Sequence, residues 1–144
     1  MFSARGFETC SDLKCLKNPK IKSIIIANPK LAPYGKASEQ AFKNAGVYED
    51  IKDKIIKASS IGEALSQSLS AGDVGFVALS ALKSEKLKEW QNAYKAVDSS
   101  LYEPISQGMI KLKNSQNSEL AKRFYDFILS DKAKEIFKKY GYEI

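Results

Sequence analysis

The residues in this chain best placed to do chemistry would do it through backbone N–H groups. The first stretch is Ala27-Asn28-Pro29-Lys30-Leu31-Ala32-Pro33-Tyr34-Gly35, between the apolar run Ile24-Ile25-Ile26 and an amphipathic stretch from Lys36 to Ala45. It reads as a strand, a Pro-bounded loop and a helix start. The first turn of a helix has N–H groups without intrahelical partners and carries the positive end of the helix dipole, so it can seat an anion. Pro33 presets the backbone, and Gly35 would let a ligand approach the main chain. The N–H groups of Tyr34, Gly35 and Lys36 are expected to point out of the helix start, with the Tyr34 phenol as a further donor. A plain packing role for Tyr34 is the competing reading.

The second stretch is Ser60-Ile61-Gly62-Glu63, a capping box. The Ser60 hydroxyl is expected to accept from the Glu63 N–H, and the Glu63 carboxylate to return to the Ser60 N–H. The Ile61 N–H then lies just inside a helix start, beside a glycine that leaves it unshielded. Most capping boxes only cap helices. Two such termini facing one cleft would bind a tetrahedral oxyanion without a buried Lys or Arg. Neutral donors leave no uncompensated buried charge when the site is empty.

Composition narrows the alternatives. The chain has 144 residues, 44% hydrophobic and 28% charged, enough for one domain with a core. Histidine is absent, which removes Ser-His-Asp triads, Cys-His dyads and His-ligated zinc. No P-loop or G-x-G-x-x-G is present, and no cofactor or metal site is expected. The net charge of +6 comes from scattered Lys beside Glu and Asp, without aromatic interleaving, so no nucleic-acid partner is expected. Cys10 and Cys15 are too few for zinc and lack C-x-x-C spacing; they read as free surface thiols, or as a pair in an oxidising compartment. No signal peptide is read in residues 1–20, and no apolar run nears the roughly 20 residues that cross a bilayer.

Elements must hold the two loops in place. The pattern predicts an irregular lead-in over 1–20 and buried strands at 21–28, 55–58 and 73–78, with further strands at 94–97 and 105–112. Helices are expected after Pro33, with Ala37, Ala41 and Phe42 inward and a stop at Gly46, then at 48–54, from Ser60 to near Gly72, and through Leu82, Leu87 and Trp90. Ser118 is expected to cap a helix carrying Leu120, Ala121, Phe124, Phe127 and Ile128. Ser130 is expected to start the last helix, which stops at Gly141. The alternation argues for an α/β fold with a mainly parallel sheet flanked by helices, whose ligands bind beyond the carboxyl ends of the strands.

The wording of the first loop, ANPKLAPYG, resembles the solute-binding proteins of molybdate/tungstate ABC transporters. Gly75-Phe76-Val77-Ala78-Leu79-Ser80, Leu101-Tyr102-Glu103-Pro104-Ile105, Gln107-Gly108 and the ending Tyr140-Gly141-Tyr142-Glu143-Ile144 are similar to the family in combination. The resemblance implies a type II periplasmic binding protein, non-enzymatic, with two α/β lobes that close on the anion. Residues 1–104 would form most of the second lobe. Residues 105–144 would be a crossover strand and helices of an incomplete first lobe, whose N-terminal section, with its hydroxyl-bearing ligand residues, lies outside this sequence. Tyr34 and Ile61 would sit at ligand-contacting positions, with Gly35 and Gly62 beside them. Ala78 falls where one branch of the family places a ligand-contacting Tyr. The implied ligand is molybdate or tungstate and the implied partner a membrane permease. The implied location is the periplasm or cell surface, although a leader is not read here. The incomplete lobe would leave apolar faces bare, which suggests a homodimer and weakened anion binding. A receptor for another oxyanion such as sulfate and a basic nucleic-acid-binding domain are the rivals.

Overall fold

A computed structural model describes residues 1–144. The chain divides into two compact units, Met1–Ile105 and Ser106–Ile144.

The first unit is built on a parallel three-stranded sheet of order β2-β1-β3, with β1 at Ile24–Ala27, β2 at Ile55–Ala58 and β3 at Val74–Gly75. Ile24 lies opposite both Ile55 and Val74, and Ala27 opposite Ala58. All four β1 residues are buried, as expected of a central strand covered on both faces. Side chains alternate between those faces. Ile24 and Ile26 pack with Phe42, Val47, Ile51, Val74 and Phe76 on one side; Ile25 packs with Ala58 and Ala64 on the other. Helix α1, Pro33–Asn44, supplies Ala41 and Phe42 to the first face, where the Phe42 and Phe76 rings meet edge to face at 4.8 Å. Truncating Phe42 to Ala would cost about 3–5 kcal/mol. Helix α3, Ile61–Ser70, covers the second face.

The stop after α1 is set by Gly46, whose φ of 66° an L side chain resists. The Val47 N–H donates to the Phe42 carbonyl at 3.0 Å and the Gly46 N–H to that of Lys43 at 3.1 Å, a Schellman closure that places Val47 against Phe42 in the core. The short helix α2, Tyr48–Ile51, follows, with a 3-10 turn over Lys52–Lys54.

Several elements differ from the sequence expectation. The first strand starts at Ile24 rather than residue 21, because the N–H groups of Lys22 and Ser23 go to the Asp73 carboxylate at 2.7 and 3.1 Å. The third strand ends at Gly75, one residue before Phe76 makes its last bond to the Ile25 carbonyl at 2.8 Å. The lead-in is irregular but not peripheral. Phe2 exchanges two backbone hydrogen bonds with Gly75, at 2.9 and 2.8 Å, and bridges Tyr94 antiparallel on its other side. The strand expected at 94–97 is reduced to that bridge. The helix expected through Trp90 is a short α4, Leu79–Leu82, followed by a 3-10 segment Glu85–Trp90 that breaks at Leu87. Cys10 and Cys15 form a disulfide rather than free thiols.

The second unit holds α5, Ser118–Ile128, and α6, Asp131–Lys139. Residues 105–112 form no strand, having no partner strand to complete a ladder. The N-cap of α5 is Asn117 and not Ser118, and no side chain caps it. Ser130 does cap α6, accepting from the Ala133 N–H at 3.4 Å. The chain after α6 closes in a second Schellman turn: Tyr142 N–H to Phe137 carbonyl and Gly141 N–H to Lys138 carbonyl, both 3.0 Å, with the Phe137 and Tyr142 rings in contact. Apolar faces remain open: Leu120 and Phe124 of α5 are 62% and 61% exposed. A groove of about 410 Å³ runs between α5 and the 109–115 segment.

Candidate functional site

Strands that run parallel deliver their carboxyl ends to one edge of the sheet, and β1 and β2 are neighbours. Their last residues, Ala27 and Ala58, are in register, and the Asn28 N–H donates to the Ala58 carbonyl at 2.7 Å. The loops that leave this edge lead directly into α1 and α3. The structure therefore brings Tyr34 and Ile61 to the starts of two helices that spring from adjoining strand ends, one helix on each face.

At the first loop, Asn28 organises a tight turn. Its carbonyl accepts from Leu31 and Ala32 at 3.0 and 2.9 Å, and its side-chain oxygen accepts from Lys30 N–H at 3.0 Å. This residue was not singled out from the sequence, although the Asn-Pro pair is a turn signal. Ala32 is the N-cap and Pro33 the first helical residue. The Gly35 and Lys36 N–H groups do not point out as expected: both donate to the Ala32 carbonyl, at 3.0 and 3.1 Å. Tyr34 is half-buried, and its carbonyl accepts from the Ser38 hydroxyl at 2.8 Å. Gly35 has a structural reason of its own. A Cβ there would overlap the Ala27 carbonyl oxygen, so the glycine lets α1 press against the end of β1.

At the second loop, Ser60 has extended backbone and its hydroxyl accepts from the Glu63 N–H at 3.1 Å. The Ser60 carbonyl takes the Ala64 N–H at 2.9 Å. The first two N–H groups, of Ile61 and Gly62, have no intrahelical partner by helix geometry. The reciprocal half of the capping box is shifted by one residue. The Glu63 carboxylate accepts from the Ser59 N–H at 2.8 Å and from the Ser59 hydroxyl, not from the Ser60 N–H. The Ser59 hydroxyl and then its N–H hold the Glu63 carboxyl below the usual range. Gly62 is exposed, and a Cβ on it would meet nothing nearer than the Ser60 hydroxyl at 3.9 Å. Unlike Gly35, it is not demanded by packing.

The third strand end leads through Val77 to Ala78, the half-buried N-cap of α4. This edge of the sheet thus carries the Ile61 and Gly62 N–H groups at the start of α3 and half-buried Tyr34 at the start of α1. No three His, Cys, Asp or Glu residues lie together as a metal site would need, and no helix is long and apolar enough to cross a membrane.

Asp73 is the one buried carboxylate, and sequence reasoning missed it. Its side chain is 8% exposed and receives Lys22 N–H, Ser23 N–H and, at 2.9 Å, the Arg5 guanidinium. Burial pushes its carboxyl up, but the two N–H donors, Arg5 and Ser23 outweigh burial and hold it below the usual range. Nothing in the local sequence pairs residue 5 with residue 73. The cluster fastens the lead-in to the sheet at the amino end of β1, away from the carboxyl edge.

The chain is similar to known proteins over most of its length. It is 36% identical over 124 residues to the molybdate-binding protein ModA of Rhodobacter capsulatus, covering 85% of this chain and 47% of that protein. It is 36% identical over 129 residues to the molybdate-binding protein ModA of Azotobacter vinelandii, covering 88% of this chain and 50% of that one. The chain therefore spans about half the length of these curated relatives. The solved structure of the Azotobacter vinelandii periplasmic molybdate-binding protein superposes with a TM-score of 0.82 at 30% identity, over 99% of this chain and 63% of that one. The family model for bacterial extracellular solute-binding proteins matches residues 4–143. With that match over nearly every residue, and a parallel sheet whose helix starts face one edge, the chain belongs to the bacterial extracellular solute-binding proteins, which bind their solutes and are not enzymes.

Proposed function

We propose that this chain is part of the extracytoplasmic solute-binding component of a molybdate or tungstate ABC transporter and takes a tetrahedral oxyanion at the carboxyl edge of its sheet. The observation that carries the reading is the register of Ala27 with Ala58, which sets the start of α1 and the start of α3 at adjoining strand ends. Helix starts there offer backbone N–H groups to an anion. Ile61 and Gly62 are the backbone donors and Tyr34 is the contact at the other terminus, where Gly35 serves the packing of α1 on β1, its N–H already donated to the Ala32 carbonyl. No cofactor takes part; the anion is the cargo. The similarity to two molybdate-binding proteins supports this choice over other oxyanions.

Residues 1–104 act as one lobe of a hinged receptor, and residues 105–144 belong to the other. Lobe closure over the anion would present a surface to a membrane permease on the periplasmic side. The chain spans about half the length of these relatives, so the reading concerns the part of the receptor that this sequence contains.

Calorimetric titration with molybdate, tungstate and sulfate tests the reading. Saturable heat with molybdate and tungstate but not sulfate is the expected result. Equal binding of sulfate would favour a general oxyanion receptor. No heat with any of the three would mean that these loops alone do not make a site.

A further inference from the structure

The segment from Cys10 to Asn18 has one short 3-10 helix, Lys14–Lys17, and is otherwise irregular, yet it fills the core. Leu13 and Leu16 are both 0% exposed and pack with Ile24, Phe42, Val47 and Ile51, with Cys10 and Cys15 against the same cluster. Leu13 is the only non-glycine residue of the chain with positive φ, at 64°. A bulky side chain holds that left-handed conformation only where its surroundings over-determine it. Local hydrogen bonds hold the turn itself: Leu16 N–H to the Leu13 carbonyl and Asn18 N–H to the Cys15 carbonyl, both at 3.1 Å, and Lys14 N–H to the Asp12 carboxylate at 3.2 Å. The polar restraints that tie the segment to the rest of the unit are few. The Asp98 N–H donates to the Ser11 carbonyl at 3.2 Å, Lys54 reaches the Leu16 and Asn18 carbonyls at 3.4 and 3.2 Å, and Lys17 pairs with Asp50 at the surface. The covalent restraint is the Cys10–Cys15 disulfide, which spans Leu13 with a Cα–Cα distance of 6.1 Å.

We propose that this disulfide is a redox latch. Oxidised, it closes residues 10–15 around left-handed Leu13 and seats Leu13 and Leu16 beside α2. A dithiol reductant opens it by interchange: the reagent's two thiols become its cyclic disulfide, and Cys10 and Cys15 each end as a thiol. The freed loop releases Leu13 to ordinary backbone angles, and the apolar cluster under α2 opens to water. Full stability of the first unit is thereby tied to an oxidising compartment. The proposal is independent of which solute the protein binds.

The test is amide hydrogen exchange on the full chain with and without excess dithiothreitol, alongside thiol titration and thermal unfolding. Two thiols should titrate per chain only after reduction. Protection should fall about tenfold or more over residues 10–18 and 47–51 while β1 stays protected, with Tm lower by roughly 5 °C. The Cys10→Ser/Cys15→Ser double variant should match the reduced protein and ignore the reductant; where it does not fold, reduction of the unaltered chain carries the comparison. Two free thiols in the untreated protein overturn the proposal. So does unchanged protection after complete reduction, and so does a loss of protection spread evenly over the sheet.

Discussion

Gly35 faces the Ala27 carbonyl so closely that a Cβ on the glycine would overlap its oxygen and stand 2.7 Å from its carbon. The start of α1 and the end of β1 are thus one packed unit, and the position of Tyr34 follows from that contact. Gly35→Ala must push α1 away from β1 or twist the end of the strand. The expected loss of stability is about 2–4 kcal/mol, read by denaturant unfolding. Gly62→Ala, where nothing lies within ordinary contact but the Ser60 hydroxyl, should be within about 1 kcal/mol of the unaltered chain, because a helix interior favours Ala.

The backbone donor at Ile61 can be removed on its own. Proline suits the first position of a helix, and Ser60 before it already has the extended backbone that proline requires (φ −146°, ψ 167°). Ile61→Pro should leave Tm nearly unchanged and weaken oxyanion binding about tenfold or more, since a hydrogen bond to a charged group is lost. Ser60→Ala should do the reverse in stability, costing about 1 kcal/mol through the lost cap on the Glu63 N–H. An Ile61→Pro variant with undiminished molybdate affinity would remove this residue from the site.

Asp73 makes stability depend on acid. Its carboxyl is held below the ordinary value in the folded chain, so it stabilises the fold above the unfolded value and stops doing so as pH falls through the folded one. Unfolding midpoints should therefore decline on acidification below about pH 4, and the Asp73→Asn variant should show a shallower decline. At neutral pH Asp73→Ala should cost about 2–4 kcal/mol, because the Lys22 and Ser23 N–H groups lose their acceptor.

Leu120 and Phe124 on α5, with Ile110 and Leu112 before it, leave more apolar surface open than a water-facing helix pair usually shows. We expect the chain to self-associate, with sedimentation velocity giving a dimer or larger species at micromolar concentration. Leu120→Glu together with Phe124→Glu should shift the distribution to monomer. A monodisperse monomer of the unaltered chain at those concentrations would show that these faces do not drive assembly.

Local chemistry made much of the first unit legible. The run Ile24-Ile25-Ile26, the stop at Gly46 and the Ser60 cap each rest on interactions within a few residues, and each is found in place. The capping box was half right, because whether Glu63 turns back to Ser60 or to Ser59 depends on the path of the chain ahead of the helix. The strands expected at 94–97 and 105–112 had suitable residues, but a strand exists only where another strand completes its ladder.

The sequence by itself determined the strand and helix order from Ile24 to Gly75, the helix starts at Pro33 and Ile61 and the family to which the wording of the first loop belongs, because apolar period, caps and turn residues act over one or two turns. Tertiary structure alone decided that Ala27 meets Ala58 and so which helix starts share an edge, that Phe2 slips between Gly75 and Tyr94, and that Asp73 gathers Arg5, Lys22 and Ser23. The strand register, the Phe2 bridges and the Asp73 cluster join residues far apart in the chain. In each case the outcome follows from how the folded backbone satisfies its polar groups, which no local window of residues contains.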